Sequence, residues 1–200
     1  MTRTIGIYVF DDVEVLDFAG PYEVFTCATR MAARLTPHAP APFRVRTIGA
    51  TQAMLRARAG LSVLPEADFA NAGRIDVLIV PGGVVTAELA KPPVIDWIAA
   101  TAGASELTAS VCTGAFLLAT AGLLDGQAAT THWADVADLR AAFPQVRVET
   151  ERRWIDNGAI VTSGGISAGI DMSLHLVERL AGRELAQRTA RQMEYDWNEG

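Results

Sequence analysis

Only two cysteines, Cys27 and Cys112, and three histidines occur in this 200-residue chain. Two cysteines make no disulfide framework, and no Cys/His spacing resembles a metal site. A reducing cytoplasm is therefore the expected compartment. Positive charge is also short. The 17 Lys and Arg face 23 Asp and Glu, and a net charge of −6 gives no reason to expect nucleic acid or an anionic membrane as partner. Half of the residues are hydrophobic, yet no apolar run is long enough to span a bilayer. The first run, residues 5–10, is too short for a signal-peptide core and lacks a cleavage site. Repeats, linkers and low-complexity segments are missing as well, so residues 1–200 are expected to form one domain.

What is present is an alternation of short apolar strands and amphipathic helices. Strands are expected at residues 5–10, 43–49, 76–80, 107–111 and 127–131, with a short one at 61–64 in a side hairpin. Residues 146–150 and 159–162 read as strands flanking an Asp156-Asn157-Gly158 turn. A first helix opens around Asp17 with Pro21 in its first turn and buries Val24, Ala28, Met31 and Leu35. Further helices are expected at 93–102, ended by Gly103, and at 115–124 and 134–143. A closing helix begins near Ser167 and buries Ile170, Leu174, Val177 and Leu180, with Asp171, His175 and Arg179 forming a solvated stripe. Alternating β and α with nearly continuous apolar strands predicts an α/β fold, a mostly parallel sheet covered on both faces.

The segment Ser110-Val111-Cys112-Thr113-Gly114 sits where one such strand gives way to a helix. A sharp strand-to-helix turn exposes a nucleophile at the sheet's carboxyl edge, where ligands bind in folds of this kind. The free N–H groups and dipole of the following helix are expected to favour the reactive thiolate. Cys27, by contrast, falls on the buried side of the first helix as core. Asp17 follows the first strand between Leu16 and Phe18, an apolar setting that disfavours ionisation. It is either a proton donor and acceptor for the thiol or the cap of its helix. Gly82 and Gly83 follow the strand at 76–80 and either offer backbone N–H groups to a ligand or make an ordinary tight turn. Thr113 is a helix cap or a hydroxyl placed to hold water or substrate. His132 either polarises the cysteine or bonds to backbone. Gly165 and Ile166 open the closing helix, where small residues allow close backbone approach to a polar ligand or simply tight packing.

Taken in order, Leu16-Asp17-Phe18-Ala19-Gly20-Pro21, Val80-Pro81-Gly82-Gly83, Ser110-Val111-Cys112-Thr113-Gly114, residues 119–126, Thr130-Thr131-His132-Trp133-Ala134 and residues 164–171 resemble the PfpI-type branch of the class I glutamine amidotransferase-like superfamily. Within it the chain is most similar to the isonitrile hydratases. The resemblance covers about residues 5–195. It implies a flavodoxin-like three-layer sandwich, a homodimer, no metal or other cofactor, and a small-molecule isonitrile as substrate. It assigns Cys112 as nucleophile, Asp17 as acid/base carboxylate and Thr113 as the required neighbouring hydroxyl. PfpI-type proteases and glyoxalases carry His directly after the nucleophile, so Thr113 argues against those activities. Glutamine amidotransferases need a late His-x-Glu pair, and His175-Leu176-Val177-Glu178 has the wrong spacing. AraC-type regulators carry a related ligand-sensing domain followed by a helix-turn-helix region. No such region follows here before Gly200, and a stand-alone enzyme is expected.

Overall fold

The computed structural model describes residues 1–199. Among the described residues, eleven strands and seven α-helices follow one another. The first part comprises β1 (Arg3–Tyr8), α1 (Val15–Leu35), β2 (Phe43–Gly49), β3 (Leu55–Arg56), β4 (Ser62–Val63) and β5 (Ala67–Asp68). Then come β6 (Val77–Val80), α2 (Thr86–Leu89), α3 (Pro92–Ala104), β7 (Leu107–Val111) and α4 (Gly114–Thr120). The last part holds β8 (Ala128–Ala129), α5 (Val136–Ala142), β9 (Arg147–Val148), β10 (Trp154–Asp156), β11 (Ile160–Ser163), α6 (Ala168–Ala181) and α7 (Arg183–Gln192).

The central sheet has seven strands in the order β10-β11-β7-β6-β1-β2-β5. Every neighbouring pair is parallel except the β10–β11 hairpin. Helices α1, α6 and α7 pack together, as do α2, α3 and α4, so the sheet lies between two helical layers. The inner strands are apolar without alternation because both of their faces are covered; all four residues of β6 and all five of β7 are buried. Successive connections leave β1 in opposite directions, towards β2 on one side and β6 on the other. The crevice at the carboxyl ends of β1 and β6 is thus the switch point where such sheets bind ligands. No helix among the described residues is long and apolar enough to cross a membrane.

Several elements differ from their sequence expectations. Strand β1 ends at Tyr8; the Val9 N–H still reaches the Ile48 carbonyl of β2, but Phe10 opens a turn closed by the Val13 N–H on the Phe10 carbonyl. Helix α1 starts at Val15, so Pro21 lies inside it and not in its first turn, and Leu35 at its end is exposed. Gly103 falls within α3 rather than ending it, and α4 is shorter than expected, stopping at Thr120. Residues 127–131 do not join the main sheet. Instead β8 pairs with β9 in a ribbon of its own, because β10 occupies the edge beside β11. The turn at Asn157 and Gly158 is flanked by β10 and β11, not by residues 146–150, since the arms of a tight hairpin must abut the turn. The closing helix is broken at Gly182, whose φ of 95° suits glycine, and continues as α7. The stripe on α6 is not a solvated one. Asp171 is completely buried, and His175 and Arg179 both bond to Asp156 on β10.

Candidate active site

Cys112 follows β7 and precedes α4, at a backbone φ of 57°. For an L-residue the left-handed region costs roughly 1–2 kcal/mol. Neighbouring loops hold it there. The Cys112 N–H donates to the carbonyls of Ser163 (3.2 Å) and Gly164 (3.3 Å), and Thr131 Oγ1 donates to the Cys112 carbonyl at 2.8 Å. Sequence reasoning does not single out Thr131, although it lies within the Thr-Thr-His-Trp motif.

Asp17 projects into the same place from the third position of α1. It does not cap the helix. The N-cap is Glu14, and Asp17 Oδ2 instead accepts the Gly82 N–H at 3.0 Å. Its other oxygen, Oδ1, is buried without a hydrogen-bond partner among the described residues. Burial pushes the Asp17 carboxyl up to about 7, against the opposing pull of the Gly82 N–H. The expected apolar setting is therefore present.

The expected thiolate is not. Burial is the largest influence on the Cys112 thiol and, with the neighbouring Asp17 charge, pushes it up to about 12. The backbone N–H groups of Thr113 and Ile166 face the sulfur and pull the other way without overcoming this. Two acids in one buried site cannot both ionise easily, so around neutral pH the pair carries no more than a single negative charge, which sits on Asp17 and becomes complete only above about pH 7.

Gly82 and Gly83 do not present free N–H groups to a ligand, a second correction. The Gly82 N–H is taken by Asp17, and the Gly83 N–H donates to Thr113 Oγ1 at 2.9 Å. Both positions require glycine for packing. A Cβ on Gly82 would lie 2.6 Å from Thr113 N, and one on Gly83 would lie 2.3 Å from the Asp12 carbonyl oxygen. The Thr113 hydroxyl returns its own proton to the Gly83 carbonyl at 2.9 Å. It is thereby committed to the glycine turn, with only one lone pair left over.

The remaining expected residues line the opening. Cys112, Thr113, Gly83, His132 and Ile166 surround a cavity of about 180 Å³, together with Arg58 and Asp135, which the sequence does not flag. Arg58 reaches the site from the excursion between β3 and β4, which carries no motif. The His132 ring bonds locally rather than to the sulfur; its Nδ1 lies 3.3 Å from Ala134 N and 3.1 Å from Asp135 Oδ2. Gly165 packs beneath the His132 ring, and Ile166 is held at a φ of 51°.

The profile of the DJ-1/PfpI family matches residues 3–179. The chain belongs to this family. It is 34% identical over 198 residues to isonitrile hydratase of Pseudomonas putida, spanning 98% of this chain and 79% of that protein. It is also 31% identical to the HTH-type transcriptional regulator GbdR of Pseudomonas aeruginosa across 97% of its own length. There it spans only 51% of the regulator. Among solved structures it resembles a THiJ/PfpI family protein from Pseudomonas syringae at 26% identity with a TM-score of 0.85, covering 99% of this chain and 77% of that one. The three-layer sandwich is thus the architecture of the DJ-1/PfpI proteins.

Proposed function

We propose that this protein is an isonitrile hydratase that converts R–N≡C and water into an N-substituted formamide. The observation that carries this reading is the buried pair of Cys112 and Asp17, a thiol and a carboxyl that act on one another, the carboxyl oxygen Oδ1 having no other partner among the described residues. The similarity to a protein of that activity over nearly the whole chain supports it. The starting state is a thiol with a carboxylate. Asp17 accepts the thiol proton as the sulfur bonds to the isonitrile carbon, and passes that proton to the same carbon. The product is a thioimidate, R–N=CH–S–Cys112. Water then adds to that carbon, its proton moving through Asp17 to nitrogen. The C–S bond breaks, releasing R–NH–CHO and restoring the thiol. The Thr113 and Ile166 N–H groups, aimed at the sulfur, stabilise its charge in both steps. Thr113 acts through its side chain on the Gly82-Gly83 turn that holds Asp17, and Gly165 and Ile166 shape the loop beside the sulfur.

Incubation with cyclohexyl isonitrile should yield the formamide, read by mass spectrometry. Absence of product across several R groups would sink the reading. A second reading, a ligand-sensing domain, is favoured by the similarity to GbdR and predicts binding of a small molecule without turnover. We also propose that the protein acts as a homodimer in the cytoplasm, without a metal or other cofactor. Large apolar side chains left exposed, such as Met54, Leu61 and Leu64, support the dimer, which light scattering tests.

A further inference from the structure

The cavity at Cys112 measures about 180 Å³, below the roughly 300–1,000 Å³ of ordinary small-molecule sites. A second cavity of about 440 Å³ lies behind it, lined in part by Thr131, Trp133, Val136, Gly165 and Ala168. Their linings alternate along the chain. Thr131 and Trp133 face the second cavity, whereas His132 and Ala134 face the first; Gly165 belongs to the second and Ile166 to the first. The partition is the contact of the His132 ring with Gly165, so close that a Cβ there would stand 2.1 Å from His132 Cδ2.

That partition is lightly tethered. His132 Nδ1 faces both the Ala134 N–H and the Asp135 carboxylate. One nitrogen cannot accept from the first and donate to the second at once, so a single hydrogen bond holds the ring at any moment, beside a tilted contact with the Trp133 indole at 5.5 Å between centroids. Both partners lie within three residues of His132, and neither ties the ring to the α6 side of the partition. Beyond it the walls offer the exposed indole of Trp133 and the buried side chains of Val136 and Ala168. The charged residues at this cavity are Glu151, Arg152 and Arg153; Arg153 is committed to Asp171, and the remaining two are of opposite sign, so no charged ligand is favoured.

We infer that the second cavity receives the R group, that His132 is the residue which sets its admissible size, and that the substrates are isonitriles with bulky apolar, preferably aromatic, R groups. This rests on the hydratase reading for the identity of the reaction, but not for the geometry. The test therefore uses a readout that needs no turnover. Alkylation of Cys112 is timed with iodoacetamide and with N-(1-naphthyl)iodoacetamide, the modified peptide being identified by mass spectrometry. The ratio of the two rates cancels the ionisation of the thiol.

His132→Ala should raise the bulky-to-small ratio by at least ~10-fold, the scale on which pocket shape discriminates apolar groups. His132→Phe keeps the bulk and should leave the ratio near wild type. Trp133→Ala removes an 82% exposed side chain that the fold does not need, and should lower the ratio. A ratio unmoved by His132→Ala, or unmoved by Trp133→Ala, overturns the assignment. Kinetics with naphthylmethyl and methyl isonitrile separate the two claims. Shifted alkylation ratios with no formamide from either would remove the hydratase reading and keep the pocket. Formamide formation with unshifted ratios would do the reverse.

Discussion

At the scale of single residues, the site is built on a carboxyl placed where it is uncomfortable. Asp17 is completely buried, and burial lifts its pKa from 3.8 to about 7. Below pH 3.8 the folded and unfolded chains both hold this proton, and above 7 neither does. Between those limits the folded chain binds more protons, so stability falls as pH rises. A rise of that size corresponds to about 4 kcal/mol. Asp17→Asn should therefore melt higher than wild type at pH 8, with the gap closing towards pH 4, while turnover drops by at least ~100-fold. Equal melting at both pH values would mean the carboxyl is not strained. The same raised pKa sets the pH profile. If Asp17 must begin as carboxylate to take the thiol proton, kcat/KM rises through about pH 7 and stays high until the thiol itself ionises. A rate that declines across that range would assign the active form to the carboxylic acid instead. Cys112→Ala should abolish turnover, whereas Cys27→Ala, a core change far along α1, should leave it largely intact.

At the scale of elements, the site depends on a turn more than on any helix. The cysteine strand and the helix after it are legible in the sequence because β7 is a continuous apolar run that stops at a Cys-Thr-Gly junction. The role of the glycines is not. Whether an N–H faces a ligand or a neighbouring side chain depends on how α1 approaches the turn after β6, which no local pattern records. The start of α1 is hidden for a related reason. Pro21 suits a first turn, yet here it sits inside the helix, where it removes the donor that the Asp17 carbonyl would otherwise receive four residues on. The hydrogen bonds of Thr113 make its test sharper. Thr113→Val should leave the Gly83 N–H and carbonyl without their side-chain partner, costing about 1–3 kcal/mol. It should lower kcat more than it raises KM, because Asp17 loses its support through Gly82. Thr113→Ser retains the hydroxyl and should restore both. Failure of Ser to rescue would mean that the methyl group, not the hydroxyl, secures the turn.

At the scale of the molecule, the parallel sheet is readable because strands covered on both faces are apolar without alternation, as β6 and β7 are. The edge strand β5 and the separate β8–β9 ribbon are not, since each of these strands has two residues, too few to show any period. The apparent polar stripe on α6 misleads for another reason: helical spacing cannot reveal what a later segment covers. Residues beyond α7 fold back so that the Asn198 N–H reaches Asp171 Oδ1 at 2.9 Å and the Trp197 indole N–H reaches the Asp171 carbonyl. Arg153, just before β10, bonds the other carboxylate oxygen through two nitrogens. One buried carboxylate thus joins the sheet edge, the helix that follows the Ile166 loop and the tail of the chain. Removing one partner of such a pair strands a charge away from water, typically at about 3–5 kcal/mol. Arg153→Met should accordingly lower the melting temperature strongly. Adding Asp171→Asn to it removes the stranded charge and should recover part of the loss, although each substitution alone destabilises. Thermal denaturation of the two single variants and the double variant decides the matter. A double variant no more stable than Arg153→Met would show that the arginine acts by packing its stem rather than by neutralising Asp171.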